Sequence, residues 1–296
     1  MHLVFIGGPQ RSGTTLVQTL VVNALGSTAL LPEAHVVHGL LEVYRRGMAE
    51  WPKTARLFGR EEVFRGFVKD SIQGVLNTIV QVNGAVDFLV LKDPNFGMVA
   101  PQILDLFPEA TCVFCIRDPR DIASSFLKIE QREKAMGRER KRYRNRNLFL
   151  YCTKVKRSCQ EAVKAGFSWT VLRYEDVVAD PAGQLERLGA ETGLPLRVPD
   201  FDNMRWIEAE VRHKDSWVSS LEEKAPSVQS VGAFRGVLSP GEIAYVEVTC
   251  GGIMKKFGYS PVSPTYRRKP PFSWLDRLVI MARLRKYVVS EISRQG

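Results

Sequence analysis

The chain of 296 residues is 45% apolar, enough for one large core of about 250 residues with a tail. Its 42 basic and 32 acidic residues leave a formal charge of +10, which points to an anionic partner. No apolar run reaches the roughly 18 residues of a membrane span, no cleavable leader opens the chain, and five unpatterned cysteines give no disulfide framework, so the expectation is a cytoplasmic protein.

Elements alternate from the start. Leu3 to Ile6 is a short apolar strand, and "GGPQRSGTT" turns it into an amphipathic helix from Gly13 to Leu25. Further strands are expected at Asp87 to Leu91, Thr111 to Ile116 and Trp169 to Leu172, each a continuous apolar run of the kind buried in parallel sheets. Within the third, Cys112 and Cys115 form a C-x-x-C that lacks a second pair to complete a zinc site, and a buried strand is the better reading. Asp118 and Pro119 open a helix to Lys134, and "SPGE" at Ser239 to Glu242 is a capping box for a helix to about Phe257. This order implies an α/β fold, a single P-loop-type domain whose central parallel sheet is flanked by helices on both faces. Leu196 to Gly232 is weakly patterned, and Lys128 to Arg146 carries nine basic residues against three acids, a solvated helix face or a guide for acidic acceptors.

Ligands of open α/β sheets gather at the carboxyl ends of the strands. Here those ends deliver the glycine loop, "KDPNF" from Lys92, "RDPRDIASS" from Arg117 and "RYED" from Arg173. The rim should bind a ligand with several anionic groups. In the loop, Gly8 and Gly13 keep the spacing of a nucleotide-triphosphate loop, but Thr14 stands in the lysine position. Backbone N–H groups at the Gly13 helix, the hydroxyls of Ser12, Thr14 and Thr15 and the Arg11 guanidinium suit a terminal monophosphate. A metal is not expected, because the neighbouring strands end in Lys92 and Arg117.

"PQRSGTT" resembles the 5′-phosphosulfate loop of the sulfotransferases that use 3′-phosphoadenosine 5′-phosphosulfate (PAPS), and "RDPRDIASS" resembles their 3′-phosphate motif. "RSGTT", "PEAH", "LKDP" and "SVGAFRG" are most similar to the branch containing tyrosylprotein sulfotransferases and many bacterial enzymes, and the resemblance spans residues 3–259. It implies one α/β domain and PAPS as sulfuryl donor without a metal. It places Arg11, Ser12, Gly13, Thr14 and Thr15 on the 5′-phosphosulfate, with Gln10 heading that loop. Arg117 and Ser125 fall on the 3′-phosphate, with Tyr174 and Arg235 near the nucleotide. Glu33 matches the catalytic base, Lys92 the cation on the bridging oxygen, and Arg11 also contacts the sulfonate.

Alternatives stay open at this point. His35 or His38 could replace Glu33 as base, and a P-loop kinase or a non-catalytic polyanion-binding protein would share the loop. The acceptor is expected to bear a hydroxyl on a protein tyrosine, a saccharide, a lipid or a small molecule, and nucleic acid is not an expected partner. Residues 1–262 form the expected sulfotransferase domain. Residues 263–296 form a basic amphipathic helical tail, with Trp274, Leu275, Leu278 and Met281 on its apolar stripe, either docked on the core or in peripheral contact with a membrane.

Overall fold

Four of the apolar runs become one parallel sheet. Its strands are β1 (His2–Gly7), β2 (Phe88–Lys92), β3 (Thr111–Ile116) and β4 (Thr170–Arg173), in the spatial order β2-β1-β3-β4. The computed structural model describes residues 1–26, 30–137, 147–164, 169–206 and 226–263. The expected tail helix and its membrane role, the basic residues 138–146 and positions 207–225 of the weakly patterned stretch lie outside the described residues.

Ten helices are described: α1 (Thr14–Leu25), α2 (His35–Ala49), α3 (Trp51–Phe58), α4 (Glu61–Asn83), α5 (Ala100–Leu106), α6 (Pro119–Ala135), α7 (Leu148–Lys164), α8 (Tyr174–Ala179), α9 (Pro181–Thr192) and α10 (Pro240–Lys256). Side chains alternate along a strand, so a continuous apolar run fills both faces of the sheet. Phe5, Leu89, Leu91, Phe114 and Ile116 face a core built with α2, α4, α5, α6, α7 and α10. Val4, Ile6, Val90, Val113 and Leu172 face a second core closed by α1 and α9.

The same alternation settles the C-x-x-C. Cys112 belongs to the first core and Cys115 to the second, so the two thiols sit on opposite faces. Both are free and buried, and burial pushes the Cys112 thiol up to about 12 and raises Cys115 still more.

Helix boundaries follow the caps. Gly13 is the N-cap of α1 rather than its first residue. Asp118 accepts the Arg120 N–H at 2.9 Å with Pro119 in the first turn, and Ser239 and Glu242 form the reciprocal capping box of α10.

A buried charge network ties α6 to α10. Glu247, fully buried, accepts Arg120 Nη1 at 2.6 Å and the backbone N–H groups of Val262 and Ser263 at 2.7 and 3.0 Å. Arg120 donates through Nη2 to Asp118 at 2.6 Å. Removing one member strands its partner in a dry site, which costs about 3–5 kcal/mol. We expect Glu247→Ala to lower the unfolding free energy by about that amount in urea titration; a loss below about 1 kcal/mol would show that water reaches Arg120.

Candidate active site

The register brings the strand ends level. Ile6 pairs with Lys92, Gly7 with Phe114 and Ile116 with Arg173. Strand order reverses between β1 and β3, and the loop after β1 lies at that crevice.

Two glycines let the loop pack tightly. At Gly8 (φ 150°) an added Cβ would strike the Cys115 carbonyl oxygen, and at Gly13 (φ 94°) it would strike the Tyr174 ring. Arg11, at φ 72°, is the one non-glycine residue with positive φ among the described residues. Such strain is held where a site requires a particular backbone path. Ser12 N–H donates to the Pro9 carbonyl at 3.0 Å, while the fully buried Ser12 Oγ has no partner. Thr14 is buried, Thr15 is half-buried, and the first turn of α1 carries no acid to oppose an anion.

On the β3 side, Arg117 emerges from the strand and is only 8% exposed. It donates to the Arg11 carbonyl at 3.3 Å and the Ser230 carbonyl at 2.7 Å, and its guanidinium lies 4.4 Å from the Tyr174 ring centroid. Its Nε is buried without a partner. Ser125, one face of α6 further on, accepts from Arg11 Nε at 3.0 Å. The Tyr174 and Ser230 hydroxyls share a hydrogen bond of 2.6 Å. The expected residues Arg11, Gly13, Arg117, Ser125 and Tyr174 therefore meet in one cluster.

On the β2 side, Glu33 forms a parallel bridge with Lys92, extending the sheet by one residue pair, and Ala34 N–H donates to the Lys92 carbonyl at 2.9 Å. Gln18 of α1 donates to the Leu31 carbonyl at 2.8 Å, pinning the approach to Glu33. Lys92 Nζ lies 3.0 Å from Glu33 Oε1, with the lysine side chain 1% exposed and the glutamate 54%. His35 is exposed and its Nδ1 faces the Glu33 carbonyl at 3.2 Å, while the His38 ring turns toward Phe96. Asp93 is buried, caps the turn by accepting Asn95 N–H at 2.8 Å, and burial raises its carboxyl above the usual range.

Two further arginines named from the sequence rest on aromatic rings. Arg173 stacks on Tyr259 at 4.6 Å, and exposed Arg235 rests on the Phe234 ring at 4.7 Å. Three residues of the site had no individual role assigned from sequence. Ser230 completes the Arg117 cluster, and Lys154 of α7 donates to Gln10 at 2.9 Å. Asp121, buried on α6, accepts the N–H groups of Gly232 and Phe234 at 2.8 and 2.9 Å, which fastens the Ser230 segment to the rim. Burial raises its carboxyl, opposed by Arg117 and by those two N–H groups. Asp121 stands in the first turn of α6, four positions after Arg117, and that closeness in sequence was the signal available.

The sequence pattern of the sulfotransferase family matches residues 4–199. A Caenorhabditis briggsae protein assigned by name to the protein-tyrosine sulfotransferases is 28% identical over 132 residues, 43% of this chain and 43% of its own length, so the match spans under half of that relative. Protein-tyrosine sulfotransferase 1 of Danio rerio is 23% identical over 292 residues, 92% of this chain and 76% of that protein. The fold is shared with the sulfotransferase domain from the curacin biosynthetic pathway, at a TM-score of 0.57 and 20% identity over 88% of this chain and 98% of that domain. With the family pattern running from β1 past β4 and the same fold in a solved relative, the chain belongs to the sulfotransferase family, a family of transferase enzymes.

Proposed function

We propose that the protein transfers a sulfuryl group from PAPS to a hydroxyl-bearing acceptor, with Glu33 as general base. The Glu33–Lys92 pair carries this reading, because it sets a carboxylate and a buried ammonium 3.0 Å apart at the edge of the phosphate-type loop. The residues fit a sulfuryl donor phosphorylated at both ends. Ser12 Oγ and Arg117 Nε are buried hydrogen-bond donors without partners, and Gly8 and Gly13 keep the loop backbone free of side chains.

In this reading Arg11, Ser12, Gly13, Thr14 and Thr15 hold the 5′ end, with Gln10 beside them, and Arg117 and Ser125 hold the 3′-phosphate. Tyr174 lines the nucleotide through its contact with Arg117, and Arg235 stands on the outer segment. When bound, PAPS supplies a sulfuryl group activated by its link to phosphate. Glu33, open on one side, takes the proton from the acceptor hydroxyl. Lys92 and Arg11 face the negative charge that develops opposite the acceptor, and one such preorganised group is typically worth about 3–4 kcal/mol of barrier. Near-complete burial of Lys92 strengthens its field by excluding water. The protein-tyrosine sulfotransferases among the relatives make a protein tyrosine one candidate acceptor. Saccharide, lipid and small-molecule hydroxyls satisfy the same chemistry.

By titration calorimetry the protein should prefer 3′-phosphoadenosine 5′-phosphate over AMP by about ten- to a hundredfold, the worth of charge-assisted hydrogen bonds to the 3′-phosphate. Arg117→Ala should erase that preference. Equal affinities in the unsubstituted protein would remove the basis for PAPS.

Glu33→Gln should lower turnover by about a hundredfold or more in a labelled-sulfate assay while leaving nucleotide affinity unchanged. His35→Asn should do less, and the reverse ranking would transfer the role of base to His35.

Asp121→Asn leaves one carbonyl oxygen where two carboxylate oxygens served, so Gly232 or Phe234 loses its acceptor. The expected result is about a tenfold loss of affinity for the 3′-phosphorylated nucleotide, with AMP binding little altered. Equal losses for both nucleotides would mean that Asp121 supports general folding alone.

A further inference from the structure

α3 is an eight-residue helix with no buried residue. Its inner side leans on α4, where the Trp51 and Phe58 rings lie 6.5 and 4.8 Å from Phe64. Its outer side presents Lys53, Arg56 and Leu57, and Leu57 is 84% exposed. On α4, Val63 and Phe67 are four residues apart and so share one stripe, 45% and 54% exposed. The Phe67 ring lies 5.4 Å from Phe58, which joins this stripe to α3. Single exposed apolar residues are ordinary, but Leu57, Val63 and Phe67 lie on two helices joined through Phe58, and together they mark a contact surface.

The border of this surface is cationic. Between Arg45 and Asp70 the chain has seven basic residues and four acids, of which Asp70 shares the α4 face of Val63 and Phe67. Glu50 is already paired with Lys53 at 2.7 Å, while Arg56 and Arg60 have no ion pair among the described residues. Helical geometry turns Glu61 and Glu62 away from the Val63–Phe67 stripe. Residues 264–296 carry eight basic and two acidic residues, so like charge opposes that segment as the covering partner. Protruding apolar side chains with cations beside them match a membrane interface, where acyl chains receive the first and anionic headgroups the second.

We propose that the corner formed by α3 and the first turns of α4 docks on an anionic lipid bilayer. Leu57 and Phe67 enter the acyl boundary, and Lys53, Arg56 and Arg60 lie among the headgroups. The 15 residues of α2, roughly 22 Å of helix, run between Glu33 and the start of this corner. The proposal concerns placement of the protein and is independent of the acceptor and of PAPS.

The test is co-sedimentation of the full chain with vesicles of phosphatidylcholine alone or mixed with phosphatidylserine. The expected result is binding to the mixed vesicles, weakened by salt. The paired substitution Leu57→Ser with Phe67→Ser should reduce binding about tenfold or more, as loss of two inserted apolar side chains requires, with the thermal transition unchanged. Arg56→Glu with Arg60→Glu should remove the preference for phosphatidylserine. Absence of binding to the mixed vesicles overturns the proposal. So does equal binding by the parent and both variants, which would assign any membrane contact to another part of the chain.

Discussion

A buried guanidinium organises one side of the candidate site. Arg117 cannot leave water cheaply, and its compensation comes from three separate parts of the chain: the Arg11 carbonyl, the Ser230 carbonyl and the Tyr174 ring. Satisfying one charge therefore draws together the loop after β1, the start of α8 and the segment before α10. Asp121 completes the arrangement by holding that last segment through two backbone N–H groups. The remaining Nε is unsatisfied, and a buried donor left so costs about 1–3 kcal/mol until something accepts from it. The fold retains that cost at the rim where an anion would relieve it.

The opposite side of the loop is built differently. Lys92 is enclosed by the sheet, whereas Glu33 reaches out from a single bridge at the sheet edge and from a segment pinned by Gln18. A rigid cation and a more accessible carboxylate suit two tasks, one to present fixed charge and one to meet a changing partner. The loop between them belongs to both halves through β1, whose neighbours are β2 and β3. The Arg117 cluster and the Glu33–Lys92 pair are thereby separated across the width of one strand.

Much of this was legible because the informative signals are local. A strand, a glycine turn and a helix within twenty-odd residues mark the loop, and the rule of carboxyl ends locates Lys92 and Arg117 without knowledge of the strand order. What sequence hid are pairings across long separations. Ser230 meets Arg117 from 113 positions away, Glu247 meets Arg120 from 127, and Lys154 meets Gln10 from 144. Arg173 shows the same for an aromatic contact: it stands at the end of β4, and Tyr259, 86 positions later, offers the ring on which its guanidinium rests. Position along a strand gives the rim, whereas the direction of a long side chain depends on neighbours that arrive later in the chain. The C-x-x-C was resolved by the period of the strand alone, since residues three apart cannot share a face.

The chain beyond residue 263 begins at a fixed mechanical anchor. Glu247 grips the backbone at Val262 and Ser263, Arg120 grips Glu247, and Asp118, which caps α6, grips Arg120. That series of charge contacts links the chain at Ser263 to the residue immediately following Arg117. The point from which the carboxyl-terminal segment departs is thereby tied to the base of the Arg117 cluster.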